Sequence, residues 1–191
     1  RIPYVGAEEA PPGHNLAAED LRNAAAQLVG HLFAHGHREI VCIGSLRRLQ
    51  RSGAVRLGCE EACLRLGLTS AARNVFEINS HTPEAVRTEF QRMRRTCPRA
   101  SAVVLFDVDI LKSFLAATRK EGLRVPRDLS VVAVGDSAEA RTAEPPVTCV
   151  AFDARCMAHL ALDLACQQMM EVRRLGRVPP LTFLPRPSSA E

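Results

Sequence analysis

Apolar runs rich in β-branched residues alternate along the chain with segments whose apolar positions recur at helical spacing. The runs predict strands at 2–7, 39–44, 74–79, 100–107, 129–135 and 147–152, and the helical segments lie at 15–34, 53–66, 82–95, 109–121 and 157–175. Runs such as VVLF and VVAV, apolar at consecutive positions, are typical of parallel strands covered on both faces. The pattern therefore predicts an α/β fold, a doubly wound, Rossmann-like parallel sheet with at least five strands.

The stretch FAHGHREIVCIG, residues 33–44, places two histidines around one glycine between a predicted helix and a predicted strand. Gly36 suits the left-handed position that ends a helix, and His37 then leads into the strand. A metal site is the alternative, with His31 one turn before His35 as a further ligand. No Cys, Asp or Glu stands nearby at a spacing that completes a zinc shell, so we predict a helix end and no metal.

Composition narrows the class of protein. The chain has 191 residues, 47% of them hydrophobic, and no apolar run approaches the ~20 residues that cross a bilayer. The first residues lack the layout of a signal peptide, so we expect a cytoplasmic protein with no membrane partner. Because the chain does not begin with Met, we also expect it to be part of a longer protein. Seven cysteines, none in a CxxC pair, are typical of a reducing compartment.

Charge and aromatic content argue against a nucleic-acid interface on this chain. The net charge is +4. Basic residues are concentrated in LRRLQR at 46–51 and RMRR at 92–95, and elsewhere they alternate with acidic residues. The chain has no Trp and one Tyr, so stacking groups for bases are scarce. We interpret the basic clusters as solvated helix faces.

Motifs for catalysis are absent from the sequence: there is no GxSxG, HExxH, GxGxxG or phosphate loop. We therefore predict no enzyme, no catalytic residue and no cofactor. Asp107 and Asp109 are either a carboxylate pair or a helix cap with a first-turn acid. Asp107 follows a predicted parallel strand, as do the loop 45–52 and Asp136, and ligands of open α/β sheets bind at that edge.

The segment HLFAHGHREIVCIG, residues 31–44, is followed by RSGAVRLGCEEACLRLGL at 51–68. These two segments resemble the HL, GHR and I motif and the R-x-x-G effector loop and helix in the effector-binding core of the LacI/GalR transcription regulators. EGLRVPRDLSVVAVGD, at 121–136, is similar to G-x-x-V-P-x-D-x-S-V-V-G-F-D-D and is the most specific match. PVTCVAF and LPRPSS resemble the family's L-T-T-V stretch and closing R-x-S-T. The resemblance covers nearly the whole chain and implies a periplasmic-binding-protein type I fold.

The resemblance also implies a domain plan in which the N-terminal subdomain is incomplete. Residues 1–12 would be the last main strand of that subdomain and 13–149 the C-terminal subdomain, followed by a returning helix at 150–176 and a closing strand at 177–191. Operator DNA is an expected partner through a helix-turn-helix domain not in this chain. The family further implies a homodimer, with the apolar faces of 53–66 or 90–97 as candidate interfaces.

The resemblance transfers ligand-binding roles to four residues. Arg56 matches the arginine that grips ligand hydroxyls or carboxylates, and Ser52 occupies a hydroxyl position in the same loop. Asp107 falls where the family has a ligand-contacting Asn. Asp136 is the second acid of the GFDD motif, whose first, ligand-binding acid is Gly135 here.

Three of these four residues also have a structural interpretation. Arg56 fits a salt bridge on its own helix, and Asp107 and Asp136 fit helix caps. The family's stacking aromatic corresponds to Asn79 or Ser80 in this chain, which departs from the pattern.

Three functions of different class remain. The leading prediction is an effector-binding domain whose ligand, a sugar, sugar acid or sugar phosphate, modulates DNA binding. The alternatives are a periplasmic solute-binding protein for sugar transport and an effector-independent regulator with a degenerate cleft. With Gly135 in place of an acid, Arg56 faces fewer acidic partners, which favours an acidic ligand.

Overall fold

The computed structural model describes residues 16–45, 49–68, 75–151 and 182–189. The predicted strand at 2–7 and helix at 157–175 lie outside these residues, as do the segment 1–12, most of 150–176 and part of 177–191. Within the described residues, no helix is both long enough and apolar enough to span a bilayer.

The described elements follow the predicted alternation of helices and strands. The helices are α1 Leu16–Ala34, α2 Leu49–Arg65, α3 Pro83–Thr96, α4 Leu111–Lys120 and α5 Ala138–Thr142. The strands are β1 Ile40–Gly44, β2 Val75–Glu77, β3 Ala102–Leu105, β4 Ser130–Val134, β5 Thr148–Ala151 and β6 Thr182–Leu184.

The strands form one sheet in the order β2-β1-β3-β4-β5-β6. The five strands from β2 to β5 are parallel, and β6 pairs antiparallel with β5. The chain moves outward from β1 to β2, then returns across β1 to β3, so the order reverses between β1 and β3. This confirms the predicted doubly wound α/β fold.

Helices cover both faces of the sheet, and alternate residues of each strand enter one of two cores. On one face, Val41 and Val103 pack with the apolar sides of α3 and α4, where Phe90 and Phe114 meet edge to face with ring centroids 5.2 Å apart. On the other face, Val104 packs with α1 and α2. Burial on both sides explains why these strands carry consecutive apolar residues.

The histidine-glycine stretch is a helix end, as predicted. Gly36 has φ +89°, and its N–H donates to Phe33 O at 3.0 Å while His37 N–H donates to Leu32 O at 3.1 Å. These two bonds form a Schellman motif, which satisfies carbonyls left unpaired at the end of α1. His37 Nδ1 also lies 2.9 Å from Ser101 Oγ.

Three helices differ from the prediction by more than one residue. Helix α2 begins at Leu49, four residues before the predicted start, because Gly53 does not prevent helix formation there. The predicted helix from Asp109 begins instead as a 3-10 turn, Val108–Ile110, capped by the Asp107 side chain. The short helix α5 follows Ser137, whose hydroxyl accepts from Ala140 N at 3.1 Å, and was not predicted.

The packing of α1 on α2 depends on Gly58. A Cβ at Gly58 would lie 2.2 Å from the backbone oxygen of Arg22, so only glycine permits this approach. Gly53 on the same helix has no atom within 4 Å of the equivalent position. Helix α1 therefore excludes a side chain at Gly58 but not at Gly53.

We expect Gly58→Ala to lower the free energy of unfolding by about 1–3 kcal/mol, because the backbone of α1 must move. Gly53→Ala, the matched control, should raise it by up to about 1 kcal/mol, since alanine has the better helix propensity. Urea unfolding followed by circular dichroism measures both values. Equal effects of the two substitutions would contradict the close packing of these helices.

Candidate functional site at the carboxyl edge of the sheet

The loops after the parallel strands meet at one edge of the sheet. The order of the strands in the sheet reverses between β1 and β3. Ser45 follows β1 and is buried, and Asp107 follows β3. Gly44 lets the two strand ends approach, because a Cβ on it would lie 2.3 Å from the Cβ of Phe106. In open α/β sheets this reversal opens the crevice where ligands bind.

Asp136, at the end of β4, is fixed by two arginines. Its Oδ1 accepts from Arg186 at 3.0 Å and its Oδ2 from Arg141 Nε at 2.9 Å, and its side chain is 14% exposed. Burial acts to raise the pKa of Asp136, but hydrogen bonds from Arg186, Cys149 and Arg141 outweigh it and hold the pKa below its ordinary value. Both carboxylate oxygens are therefore already engaged within the protein.

Arg186 belongs to a segment that joins the last two parallel strands. Its guanidinium Nη1 also donates to Val147 O at 2.9 Å. Two residues later, the Ser188 hydroxyl donates to Val131 O at 2.8 Å and accepts from Thr148 N at 2.7 Å. Asp136 is thus part of the contacts that hold residues 186–188 against β4 and β5.

Asp107 has a different environment, on a loop beside His81. Asp107 Oδ1 accepts from the backbone N–H of Asp109 at 3.1 Å, which caps the 3-10 turn as the structural interpretation predicted. Its Oδ2 lies 3.7 Å from Nε2 of His81. Ligand atoms of His81, Asp107 and Asp109 all lie within 4.8 Å of one another.

Arg56 lies on α2 and is 43% exposed. Its Nε donates to Glu60 Oε1 at 2.7 Å, one turn along the helix, which is the salt bridge of the structural interpretation. This hydrogen bond and then the charge of Glu60 raise the pKa of Arg56 against the opposing effect of burial, and the charge of Glu77 contributes least. Helix α2 follows β1 from the carboxyl edge, and Arg56 is seven residues from its first residue, Leu49. The side chain of Ser52 lies outside the described residues.

The position that corresponds to the stacking aromatic residue of the LacI/GalR regulators is polar in this chain. Asn79 is exposed, and the Ser80 hydroxyl accepts from Thr82 N at 3.4 Å. Thr82 in turn accepts from Ala85 N at 3.4 Å and caps α3. These bonds define the loop that carries His81.

The cysteines of the described residues are buried packing groups. Cys42 and Cys59 share a hydrogen bond between β1 and α2, and Cys63 lies in the same core. A hydrogen bond with Cys42, then burial, raises the pKa of Cys59, and burial raises the pKa of Cys63 to about 12. Thiols in this state stay protonated at neutral pH and are poor nucleophiles.

Residues 29–189 match the family described as "Periplasmic binding protein-like domain". The chain belongs to this family. Among curated relatives it is 28% identical to the HTH-type transcriptional regulator CelR of Thermobifida fusca over 183 residues, which is 91% of this chain and 53% of CelR. The chain thus spans about half the length of that relative.

Solved structures of LacI-type regulators share the fold of this family member. A LacI family regulator from Bifidobacterium animalis aligns with TM-score 0.80 at 23% identity, over 89% of this chain and 62% of that one. The lac repressor dimer bound to operator and the anti-inducer ONPF aligns with TM-score 0.79 at 19% identity, over 90% of this chain and 59% of that one. The predicted resemblance to the LacI/GalR effector-binding core is confirmed.

Three residues with roles at this edge were not predicted: His81, Arg141 and Arg186. His81 follows β2, and the rule that selected Asp107 by its place after a strand would have selected it too. Arg186 stands in the closing R-x-S-T motif, but its pairing with Asp136, 50 residues earlier, left no signal in local spacing.

We expect Asp136→Asn to lower the free energy of unfolding at neutral pH by roughly 1.5–3 kcal/mol, because it removes a partly buried charge from two arginines. The folded pKa of Asp136 is depressed, so its contribution is present above the unfolded pKa of about 3.9 and disappears as pH falls through the lower folded value. Urea titrations from pH 7 to pH 2 should therefore show a smaller acid loss in the variant.

Glu61→Gln is the matched control, because its exposed pair with Arg22 should change stability by no more than about 0.5 kcal/mol. If Asp136→Asn behaves like this control at every pH, Asp136 does not have the structural role assigned to it.

Proposed function

We propose that this chain is the effector-binding and dimerisation core of a bacterial LacI-type transcription regulator. Its ligand is a small sugar-like metabolite, and its target is operator DNA, reached through a domain outside this chain. The observation that carries the proposal is the position of Asp107, a partly exposed carboxylate at the reversal of strand order, in a chain of this family. A site of this kind binds without catalysis, in keeping with relatives that are transcriptional regulators.

Regulation in this proposal is a coupling between two binding sites. An effector that contacts both subdomains stabilises one closure angle, and the DNA-binding segment responds to that angle. The coupling is reciprocal, so operator DNA must change effector affinity by the same factor. The operator and anti-inducer in the lac repressor structure are binding partners of the kind that this proposal requires.

Ligand chemistry follows from which charges at the edge remain free to interact. Asp136 is neutralised by Arg141 and Arg186, and Gly135 offers no side chain. Arg56 is 43% exposed and can exchange its Glu60 partner for a ligand anion. A sugar acid or sugar phosphate is therefore the proposed effector class, ahead of a neutral hexose.

A second candidate is an effector-independent regulator, and Gly135 favours it. At the position of the family's ligand-binding acid this chain has a buried glycine, and Asn79 and Ser80 stand where an aromatic is expected. A thermal-shift screen of sugars, sugar acids, sugar phosphates and nucleobases on the full-length protein separates the candidates. A ligand at 100 times its Kd adds about 2.7 kcal/mol to the unfolding free energy.

We expect Arg56→Ala to weaken effector binding about 10- to 100-fold, because a charge-assisted hydrogen bond to the ligand is lost. Thermal unfolding should change little, since the Glu60 pair is on the surface. Calorimetry with the screened ligand measures the affinity, and Arg65→Ala, in the last turn of the same helix, is the matched control. Unchanged affinity in Arg56→Ala, or tighter binding of neutral hexoses than of their acids, would refute this assignment.

The homodimer remains a proposal, and the structure narrows its candidate surface. Phe90, Met93 and Cys97 are buried against the sheet, so the apolar face of 90–97 is internal and its proposal as an interface was wrong. On α2, Leu57 and Leu64 are 48% and 72% exposed, one heptad apart on one face. We propose that this face of α2 contributes to the dimer.

We expect the full-length protein to be dimeric at micromolar concentration and the Leu57→Asp/Leu64→Asp variant to be monomeric, because two charges cannot be buried unpaired at an interface. Light scattering measures both states. Arg65→Ala on the same helix should remain dimeric. A monomeric parent would refute the dimer, and a dimeric aspartate variant would refute the α2 interface alone.

A further inference from the structure

Three side chains able to bind a metal ion converge at the carboxyl edge of the sheet. His81 comes from the loop after β2, and Asp107 and Asp109 come from the loop after β3. One ligand atom from each lies within 4.8 Å of the other two. The set therefore combines an imidazole with two carboxylates from loops that are distant in sequence.

The distance between His81 and Asp107 is close to the separation of two ligands on one small cation. His81 Nε2 lies 3.7 Å from Asp107 Oδ2. Two ligands of a tetrahedral Zn²⁺, each about 2.0–2.1 Å from the ion, are roughly 3.4 Å apart. The imidazole belongs to a side chain that is 39% exposed, so a small rotation brings both atoms to bonding distance.

Backbone hydrogen bonds orient the set before any ion binds. The Asp109 N–H holds Asp107 Oδ1 at 3.1 Å, which leaves Oδ2 turned toward His81. Thr82, the residue after His81, caps α3 and fixes the end of its loop. Such secondary contacts position ligands and contribute to metal affinity.

Among the described residues, no basic side chain forms a salt bridge with the two carboxylates of the set. Throughout the described ranges, neither Asp107 nor Asp109 forms a salt bridge with an arginine or lysine. Asp136, at the same edge, has two arginines. Two neighbouring carboxylates without a counter-charge repel each other, and a divalent cation between them removes that repulsion.

We propose that His81, Asp107 and Asp109 bind a first-row divalent metal ion, with Zn²⁺ bound more tightly than Mn²⁺. Imidazole favours Zn²⁺ over the hard ions, and the Irving–Williams order places Zn²⁺ above Mn²⁺ at mixed nitrogen and oxygen sites. Three protein ligands on an accessible edge leave further coordination positions to water or to the oxygen of a small molecule. The ion binds whether or not the chain senses a metabolite, so the two proposals fail independently.

Calorimetric titration of ZnCl₂ and MnCl₂ into the full-length protein, freed of metal by dialysis against EDTA, tests the site without any effector. We expect His81→Gln, Asp107→Asn and Asp109→Asn each to weaken Zn²⁺ binding at least about tenfold. Asp107→Asn keeps the cap of the 3-10 turn, since Asn is also a good capping residue, so loss of binding in it does not reflect loss of fold.

Two matched variants control for binding elsewhere. His35→Gln removes an imidazole at the end of α1, and Glu84→Gln removes an exposed acid in the first turn of α3. Both should bind Zn²⁺ with unchanged affinity. Parent-like affinity in the three site variants, or loss of affinity in His35→Gln, would overturn the assignment.

Absorption of the Co²⁺ complex identifies the ligand type. Nitrogen and oxygen ligands give visible d–d bands without the intense near-ultraviolet charge-transfer band of cobalt thiolates. A thiolate band would place the ion among the buried cysteines and overturn the proposal. Selective broadening of the His81 ring signals by Mn²⁺ in NMR spectra would support it, and broadening centred on other histidines would contradict it.

Discussion

Burial of the parallel sheet on both faces is the constraint from which the other features follow. Five strands with apolar residues on both sides lie between α1 and α2 on one face and α3 and α4 on the other. Polar side chains therefore gather where the strands end. Because parallel strands all end in the same direction, the loops that follow them meet at one edge of the sheet. The strand order reverses between β1 and β3, so the loops after these two strands lead away from each other there.

Two aspartates at this edge show how similar positions acquire different roles. Asp107 and Asp136 follow neighbouring strands, whose residues Leu105 and Ala133 are paired in register. Asp136 receives Arg186 from the C-terminal segment and becomes a structural anchor. Among the described residues, Asp107 contacts a backbone N–H and the His81 ring but no arginine, so its second oxygen can interact with an external ligand. Distant contacts, more than local sequence, distinguish the two.

The sequence predicted the fold in most particulars because hydrophobic periodicity and burial have the same physical origin. The five parallel strands and the end of α1 at Gly36 followed from local patterns, whereas the closing strand β6 was expected only from the family resemblance. Local patterns did not predict that α2 extends across Gly53 to Leu49, because tertiary packing can override a weak helix propensity. At the site, the edge positions were predictable, but the Asp136–Arg186 pair was not, since it joins residues 50 positions apart.

The antiparallel strand β6 has a consequence for the order of folding. Until residues 182–188 are in place, β5 presents an unpaired edge, and open strand edges can pair with other chains. The pairs that close this edge join Cys149 to Leu184 and Val150 to Phe183, across 35 and 33 residues. Such distant closure is slow compared with local helix formation. On the ribosome, β6 is synthesised about 30 residues after β5, and until it pairs, the edge of β5 that it covers is open to pairing with another chain.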